Sequence, residues 1–243
     1  MLSRLAEWIV RAPPYPPSPG DLRTFDLAGL RLPLRATIAV TVMVFAVLLD
    51  FNRSFIPDEL ISYDRNPGMM RLQALDRLIL YAAIPLLVVV LVFRDRPSRY
   101  GVRIGDWRAG AALAGAGCLV MTPIVVWFAG QPDVVGYYAP SAASLPDVAV
   151  TNAVDLFSAE FLFRGFLMFA LIRAIGPIGV LVATLPFVFS HLTKPELELL
   201  STLGGGMLYG WLAWRTGSIL WGAAAHTFIL TLVVLLAGAN AAP

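Results

Sequence analysis

The sequence predicts an all-α, polytopic membrane helix bundle with about seven transmembrane helices. Three observations carry this prediction. Of the 243 residues, 58% are hydrophobic and 14% charged, with a mean hydropathy of +0.74. That is too apolar and too charge-poor for an ordinary soluble domain. The apolar residues also fall into runs of spanning length, separated by charged connections. Finally, backbone inside lipid has to satisfy its own hydrogen bonds, so an isolated run of this kind folds as a helix even where it is rich in Val, Ile and Thr.

Residues 1–33 read as an N-terminal segment ahead of a transmembrane domain over 34–243. Leu2, Leu5, Trp8 and Ile9 fall at helical spacing and suit an interfacial helix. Pro13, Pro14, Pro16, Pro17 and Pro19 then favour an extended linker. No cleavable signal peptide is expected, because the apolar patch near Trp8 is short and soon meets proline.

The first span covers 34–49 and closes at Asp50. Residues 50–77 form a mixed-charge connection with a turn at Asn66-Pro67-Gly68. The second span is 78–93. The 94–108 loop sets Arg94, Arg96, Arg99, Arg103 and Arg108 against Asp95 and Asp106, which makes it the best cytoplasmic segment. Trp107 suits an interface anchor. The third span, 109–129, is rich in Gly and Ala, which lets helices approach closely, and Pro123 is expected to kink it. Residues 131–147 hold no Lys or Arg and belong on the other side.

The fourth span, 148–172, is followed by a break at Gly176-Pro177. The fifth, 178–192, contains Pro186 and ends near His191. A polar run, Thr193 to Glu198, leads to the sixth span, 199–214, which holds Gly204, Gly205, Gly206 and Gly210. The seventh, 219–237, contains His226. Alternation then puts the N-terminus inside and the C-terminus outside. Arg173 and Arg215 fall inside as expected, and Lys194 falls outside against the trend.

Composition narrows the function further. The net charge of +2 comes from 17 Arg and one Lys against 16 acids, and no basic block with interleaved aromatics suggests nucleic-acid binding. The single cysteine, Cys118, forms no internal disulfide and suits helix packing.

The chemistry-bearing residues are the charged ones inside apolar runs. Glu160 and Arg164 stand four residues apart, one turn along a helix. Charges at membrane depth persist where they pair or line a cavity. The pair is therefore either a structural lock or the edge of a polar site. The only two histidines, His191 and His226, also lie in apolar surroundings. A lone histidine on an apolar helix is more often structural. Two of two, beside a buried Glu and Arg, are less easily explained by packing. Glu, His and His can bind a metal or activate water.

The runs Glu160-Phe161-Leu162-Phe163-Arg164-Gly165 and Phe187-Val188-Phe189-Ser190-His191, followed by His226, resemble the CPBP family of intramembrane proteases, the group of the CAAX prenyl proteases and Abi-type proteins. The resemblance covers 148–237. The family pattern is Glu-Glu-x-x-x-Arg, Phe-x-x-x-His and His-x-x-x-Asn/Asp. In peptide-cleaving members it implies that the first Glu and first His activate water, while the second His and the Asn/Asp stabilise the oxyanion.

Here Glu160 matches the second Glu, Arg164 the Arg, His191 the first His and His226 the second. Ala159 stands in place of the first Glu, and Leu230 in place of the Asn/Asp. Two carboxylates are potential substitutes. Asp155 lies one turn before Ala159, and Glu198 closes a His-x-x-Lys-Pro-x-x-Glu run that is similar to one branch of the family.

The resemblance implies an intramembrane endopeptidase of a bacterial plasma membrane, with Glu160, Arg164, His191, His226 and Glu198 as site residues. Its partners would be membrane lipid and a membrane-associated peptide or protein substrate. If a cofactor is bound, it is zinc on His191, His226 and Glu160. The alternative is a non-catalytic relative that binds a partner protein or lipid, and a solute or proton pathway ranks third. The hydrolase reading expects Glu160 and both histidines to converge at a cavity with Asp155 or Glu198 in reach. The non-catalytic reading expects a closed Glu160–Arg164 pair and histidines bonded to neighbouring spans.

Overall fold

The structure is a computed structural model that describes residue 7 and residues 11–52, 56–61 and 64–242. The interfacial-helix residues Leu2, Leu5, Trp8 and Ile9 lie outside the described residues. The described chain is a helix bundle with a single small hairpin, β1 (Thr24–Leu27) with β2 (Leu30–Pro33). Its turn, Ala28-Gly29, has positive φ at both positions, as a tight two-residue hairpin requires. The sequence pattern suggests only extended linker in this region.

Eight helices follow: α1 (Leu34–Phe51), α2 (Pro67–Val92), α3 (Trp107–Phe128), α4 (Pro132–Tyr138), α5 (residues 145–175), α6 (Ile178–Phe189), α7 (Glu196–Thr216) and α8 (Leu220–Ala241). Four of them, α1, α2, α3 and α8, are long and apolar enough to cross a membrane. The chain is thus an all-α membrane bundle, with four helices of that kind among the described residues against the seven spans predicted. The difference has physical causes. The 12 residues of α6 rise only about 18 Å, short of a hydrocarbon core of roughly 30 Å. Helix α5 carries charges in its interior, and α7 is only weakly apolar along its length, with Ser201, Thr202, Tyr209 and four glycines.

Two boundaries differ from the sequence reading. The second span does not begin at 78. Asn66 caps a helix that starts at Pro67, accepting a hydrogen bond from the Met69 N–H. Arg71 and Arg77 are therefore helical; Arg71 stays solvated, with its side chain 55% exposed, whereas Arg77 is drawn into ion pairs. The fifth span also ends earlier, because α6 stops at Phe189 and leaves His191 in the turn beyond it. Pro123 lies inside α3 without ending it.

Helix α5 is the axis of the bundle. Every residue from 158 to 173 is buried, which is the signature of a helix surrounded on all sides. Its middle, Phe161–Met168, winds as π-helix. Phe166 stacks on Phe93 with centroids 5.9 Å apart and planes at 9°, and Tyr100 closes the same aromatic cluster. Gly101, at φ +82°, lets the loop after Tyr100 turn tightly so that its carbonyl accepts from the Ile219 N–H at 3.0 Å, at the start of α8.

The two ends of the bundle are tied differently. At the arginine-rich end, Asp21 accepts from Arg35 and Arg99 at 2.8 Å each, and Arg35 also reaches Asp95 at 2.9 Å. Arg173 donates to the Arg99 carbonyl, and Arg103 to the Gly217 carbonyl at 2.8 Å. At the other end, Arg71 pairs with Asp147, and Arg77 bridges Asp50 and Asp155.

Candidate active site

Glu160 is the last α-helical residue of its segment, and Arg164 sits in the π-helical stretch that follows. A π-stretch changes the angular step between residues and re-aims side chains, and it is frequent at functional sites. Both side chains are deeply buried, at 1% exposure each. The Arg164 Nη1 lies 3.3 Å from Glu160 Oε1. The guanidinium also lies over the Phe187 ring, 3.7 Å from its centroid, a cation–π contact in a dry setting.

The second partner of Glu160 comes from α8. His226 Nδ1 lies 3.1 Å from the same Oε1 oxygen. An ionised carboxylate only accepts, so the hydrogen on this bond belongs to Nδ1 and the Nε2 lone pair is left open. Tyr209 of α7 stacks on the imidazole, with centroids 4.9 Å apart and planes at 16°. Gly206 allows these helices to close around the pair. A Cβ at Gly206 would meet Thr184 at 2.7 Å and stand 3.5 Å from an Arg164 nitrogen, and one at Gly222 would stand 3.5 Å from Glu160 Oε2.

This cluster is not fully satisfied. Glu160 Oε2 and the Arg164 Nη1 and Nη2 are buried without a hydrogen-bond partner among the described residues. Such atoms are rare in folded interiors and mark places for water or a ligand.

His191 approaches from the turn after α6. Its Nδ1 lies 2.8 Å from the Phe187 carbonyl oxygen and 3.1 Å from Ser190 Oγ. A carbonyl only accepts, so this Nδ1 also carries the hydrogen, and Nε2 is again the open nitrogen. The Phe187 ring centroid is 4.5 Å from that of His191 and 6.2 Å from that of His226. One phenyl ring therefore contacts both imidazoles. Glu160, Arg164 and His226 meet directly, and His191 joins them through Phe187.

Both substitute carboxylates hold partners of their own, and Glu198 also lies within electrostatic reach of His191. Asp155 takes both its oxygens to Arg77 Nη1, at 3.0 and 3.2 Å. Glu198 accepts from the Tyr138 hydroxyl at 2.6 and 2.7 Å and pairs with Lys194 at 3.2 Å, while Lys194 donates to the Tyr138 oxygen at 2.7 Å. Neither is bonded to Glu160 or to a histidine among the described residues. Among those residues, too, no group of three or more His, Cys, Asp or Glu side chains gathers to hold a metal ion. His191, His226 and Glu160 are thus not gathered into a three-ligand set among the described residues.

A cavity of about 410 Å³ lies beside the cluster, lined by Asp155, Asn152, Ser190, Lys194 and Leu230 among others. Ser190 adjoins His191, and Leu230 follows His226 by one turn. None of Glu160, Arg164, His191 and His226 lines this cavity, which touches only their chain neighbours Ser190 and Leu230. Leu230, in place of an Asn or Asp, presents hydrocarbon to it. The amide in this region is Asn152, which donates to Thr231 Oγ1 at 3.2 Å. Sequence reasoning gave no role to Asn152, Tyr138 or Tyr209. Tyr209 had one visible mark, a lone hydroxylated aromatic in a glycine-rich apolar run.

Residues 141–232 match the family model described as type II CAAX prenyl endopeptidase, Rce1-like. No curated protein and no solved structure matches the chain. The matched stretch runs from just before α5 into α8, and it contains Glu160, Arg164, His191, Glu198 and His226. Over that stretch, which carries the site-bearing helices, the chain is similar to the type II CAAX prenyl endopeptidase, Rce1-like family.

Proposed function

We propose that the protein is an intramembrane endopeptidase in which His226, oriented by Glu160, activates the attacking water. The observation that carries this reading is the 3.1 Å contact from His226 Nδ1 to Glu160, which fixes the tautomer and leaves Nε2 as the base. Arg164 holds the carboxylate ionised and in place. Tyr209 restrains the imidazole plane.

In the reaction, water gives a proton to His226 Nε2 as its oxygen bonds to the scissile carbonyl carbon. The tetrahedral intermediate then collapses with cleavage of the C–N bond, and the same Nε2–H returns the proton to the leaving amine. His191 offers a second Nε2 acceptor to hold the water. The ionised Glu160 stabilises the imidazolium that forms between the two steps. The base here is the second family histidine, paired with the second family glutamate, so the absence of a carboxylate at Ala159 does not remove it.

A second reading has observations of its own. The Glu160–Arg164 pair is closed and deeply buried, and Leu230 supplies no oxyanion donor. These favour a non-catalytic relative that binds a partner protein or lipid.

The test is cleavage of quenched peptides by the detergent-solubilised protein, with bound metal quantified on the same samples. Loss of about 10²–10⁴-fold in His226→Ala and in His191→Ala is the expected result for groups that carry or hold a proton. Folded wild type without cleavage over a broad peptide panel would favour the non-catalytic relative. Stoichiometric metal that is lost in both histidine variants would replace this scheme with a metal-centred one.

A further inference from the structure

We infer that the cavity of about 410 Å³ at one end of the bundle is a binding site for a small zwitterion, a group that carries an ammonium beside a phosphate or a carboxylate. The site is distinct from the Glu160–His226 cluster, whose residues do not line it, and the inference does not depend on the hydrolytic reading.

The cavity has the volume of a small-molecule site. Six of its lining residues are charged, Asp50, Asp147 and Asp155 against Arg65, Arg77 and Lys194, and across the wall these cancel. Counted with their partners, they leave two separate excesses. Asp147 is matched by Arg71, and Lys194 by Glu198, each one to one. Arg77 instead holds two carboxylates, Asp50 and Asp155, at 3.0 Å each. The hydrogen bonds of that group are satisfied, but it keeps one negative charge too many. Asp155 is the more accessible acid, with 20% of its side chain exposed against 9% for Asp50.

Arg65 carries the opposite excess. Among the described residues no carboxylate pairs with it. Its Nε is buried without a hydrogen bond, and its Nη2 donates to the Met70 sulfur, a weak acceptor, at 3.3 Å. The guanidinium lies over the Tyr137 ring, 4.1 Å from the centroid. A ring face attracts a cation without neutralising its charge. Lys194 lies over the same ring at 5.3 Å and over Tyr138 at 4.9 Å, so two cations face one tyrosine pair. An unpartnered guanidinium in a cavity wall is a ready fork for phosphate or carboxylate.

A ligand of one charge suits only half of this wall. A bare anion drawn to Arg65 would share the cavity with the surplus carboxylate, and a bare cation drawn to Asp155 would share it with Arg65. A zwitterion meets both, with its anionic group on Arg65 and its ammonium on Asp155. Phosphoethanolamine, as a phospholipid headgroup, and a free amino acid both have this chemistry.

The test uses the full chain purified in a nonionic detergent. Binding of glycerophosphoethanolamine and of glycine is measured by calorimetry, beside inorganic phosphate alone and ethanolamine alone. Retention of phosphatidylethanolamine is read by native mass spectrometry, and melting is followed for every variant.

We expect a zwitterionic probe to bind, with phosphate and ethanolamine each about 10–100-fold weaker. Arg65→Gln and Asp155→Asn should each weaken the zwitterion by a similar factor. Arg65→Gln removes no ion pair among the described residues, so it should melt like the wild type, and Asp155→Asn leaves Arg77 paired with Asp50. Phosphatidylethanolamine retained by the wild type and lost from Arg65→Gln would assign the site to a headgroup. Glycine binding with the same dependence on Arg65, and no lipid retained, would assign it to a free amino acid. Phosphate alone binding as tightly as the zwitterions would overturn the proposal in favour of a plain anion site. Binding unchanged in Arg65→Gln, or no binding by any probe, lipid included, would overturn it outright.

Discussion

Two ionic clusters share helix α5, five residues apart, and they are built to different standards. Around Asp155, Arg77 donates to both oxygens of Asp155 and both of Asp50, and the Tyr81 hydroxyl adds a 2.8 Å bond to Asp50. Its carboxylates hold firm partners, and it ties α1, α2 and α5 together. Around Glu160, a carboxylate oxygen and two guanidinium nitrogens are buried without hydrogen bonds. A satisfied buried network rigidifies a fold, and an unsatisfied one is costly unless something else occupies it during function. The contrast separates what holds this bundle together from what it keeps available for chemistry.

The contrast can be broken first at the Glu160 end. Glu160→Gln removes the anchor of His226, so peptide cleavage should fall by about 10²–10⁴-fold. Retention of wild-type turnover would make the carboxylate purely structural. Next comes Arg77→Met, which strands Asp50 and Asp155. Its expected cost is about 3–5 kcal/mol in unfolding free energy, read by chemical denaturation in detergent. A change within error would show that this end is not the structural one.

A smaller effect is expected at Glu198. Glu198→Gln leaves Lys194 and Tyr138 with a weaker acceptor, for a loss of about 1–3 kcal/mol. Cleavage measured below the melting transition should persist, and its abolition would make Glu198 the missing carboxylate after all.

The smallest effect concerns the N-terminal strap. Burial pushes the Asp21 carboxyl up, but hydrogen bonds from Ser18 and the Arg35 and Arg99 guanidiniums outweigh it and hold it well below the usual carboxylate range. A depressed folded value contributes stability above the unfolded pKa of about 4 and loses it as pH falls through the folded one. Docking of residues 13–21 should therefore persist through neutral and mildly acidic pH and loosen only in strong acid. Asp21→Asn should release it at pH 7, read as faster limited proteolysis near Tyr15. Equal proteolysis rates in the variant and wild type would contradict the strap's dependence on this carboxylate.

Much of the candidate site was legible in the sequence because charge inside an apolar run is conspicuous. Glu160, Arg164, His191 and His226 stood out for that reason, and their spacing matched a family pattern. The membrane bundle was legible from the length of the apolar runs. What the sequence concealed depends on partners far along the chain. Arg77 read as a solvated charge because Asp155 lies 78 residues away. Glu198 read as a spare carboxylate because Tyr138 lies 60 residues away. His191 read as the end of a span because nothing local shows that the helix stops at Phe189. The pairing of Glu160 with His226, on which the chemistry turns, crosses 66 residues and leaves no local trace.

The most direct test of the central claim separates the charge pair from the chemistry. The double variant Glu160→Gln/Arg164→Met removes both buried charges, so its stability should stay near wild type, as for other buried pairs exchanged together. Peptide cleavage and melting would be measured side by side on both proteins. The account predicts a double variant that melts like the wild type and does not cleave. A double variant that melts like the wild type and cleaves like it would contradict the account, and would leave Glu160 and Arg164 as a lock in the core.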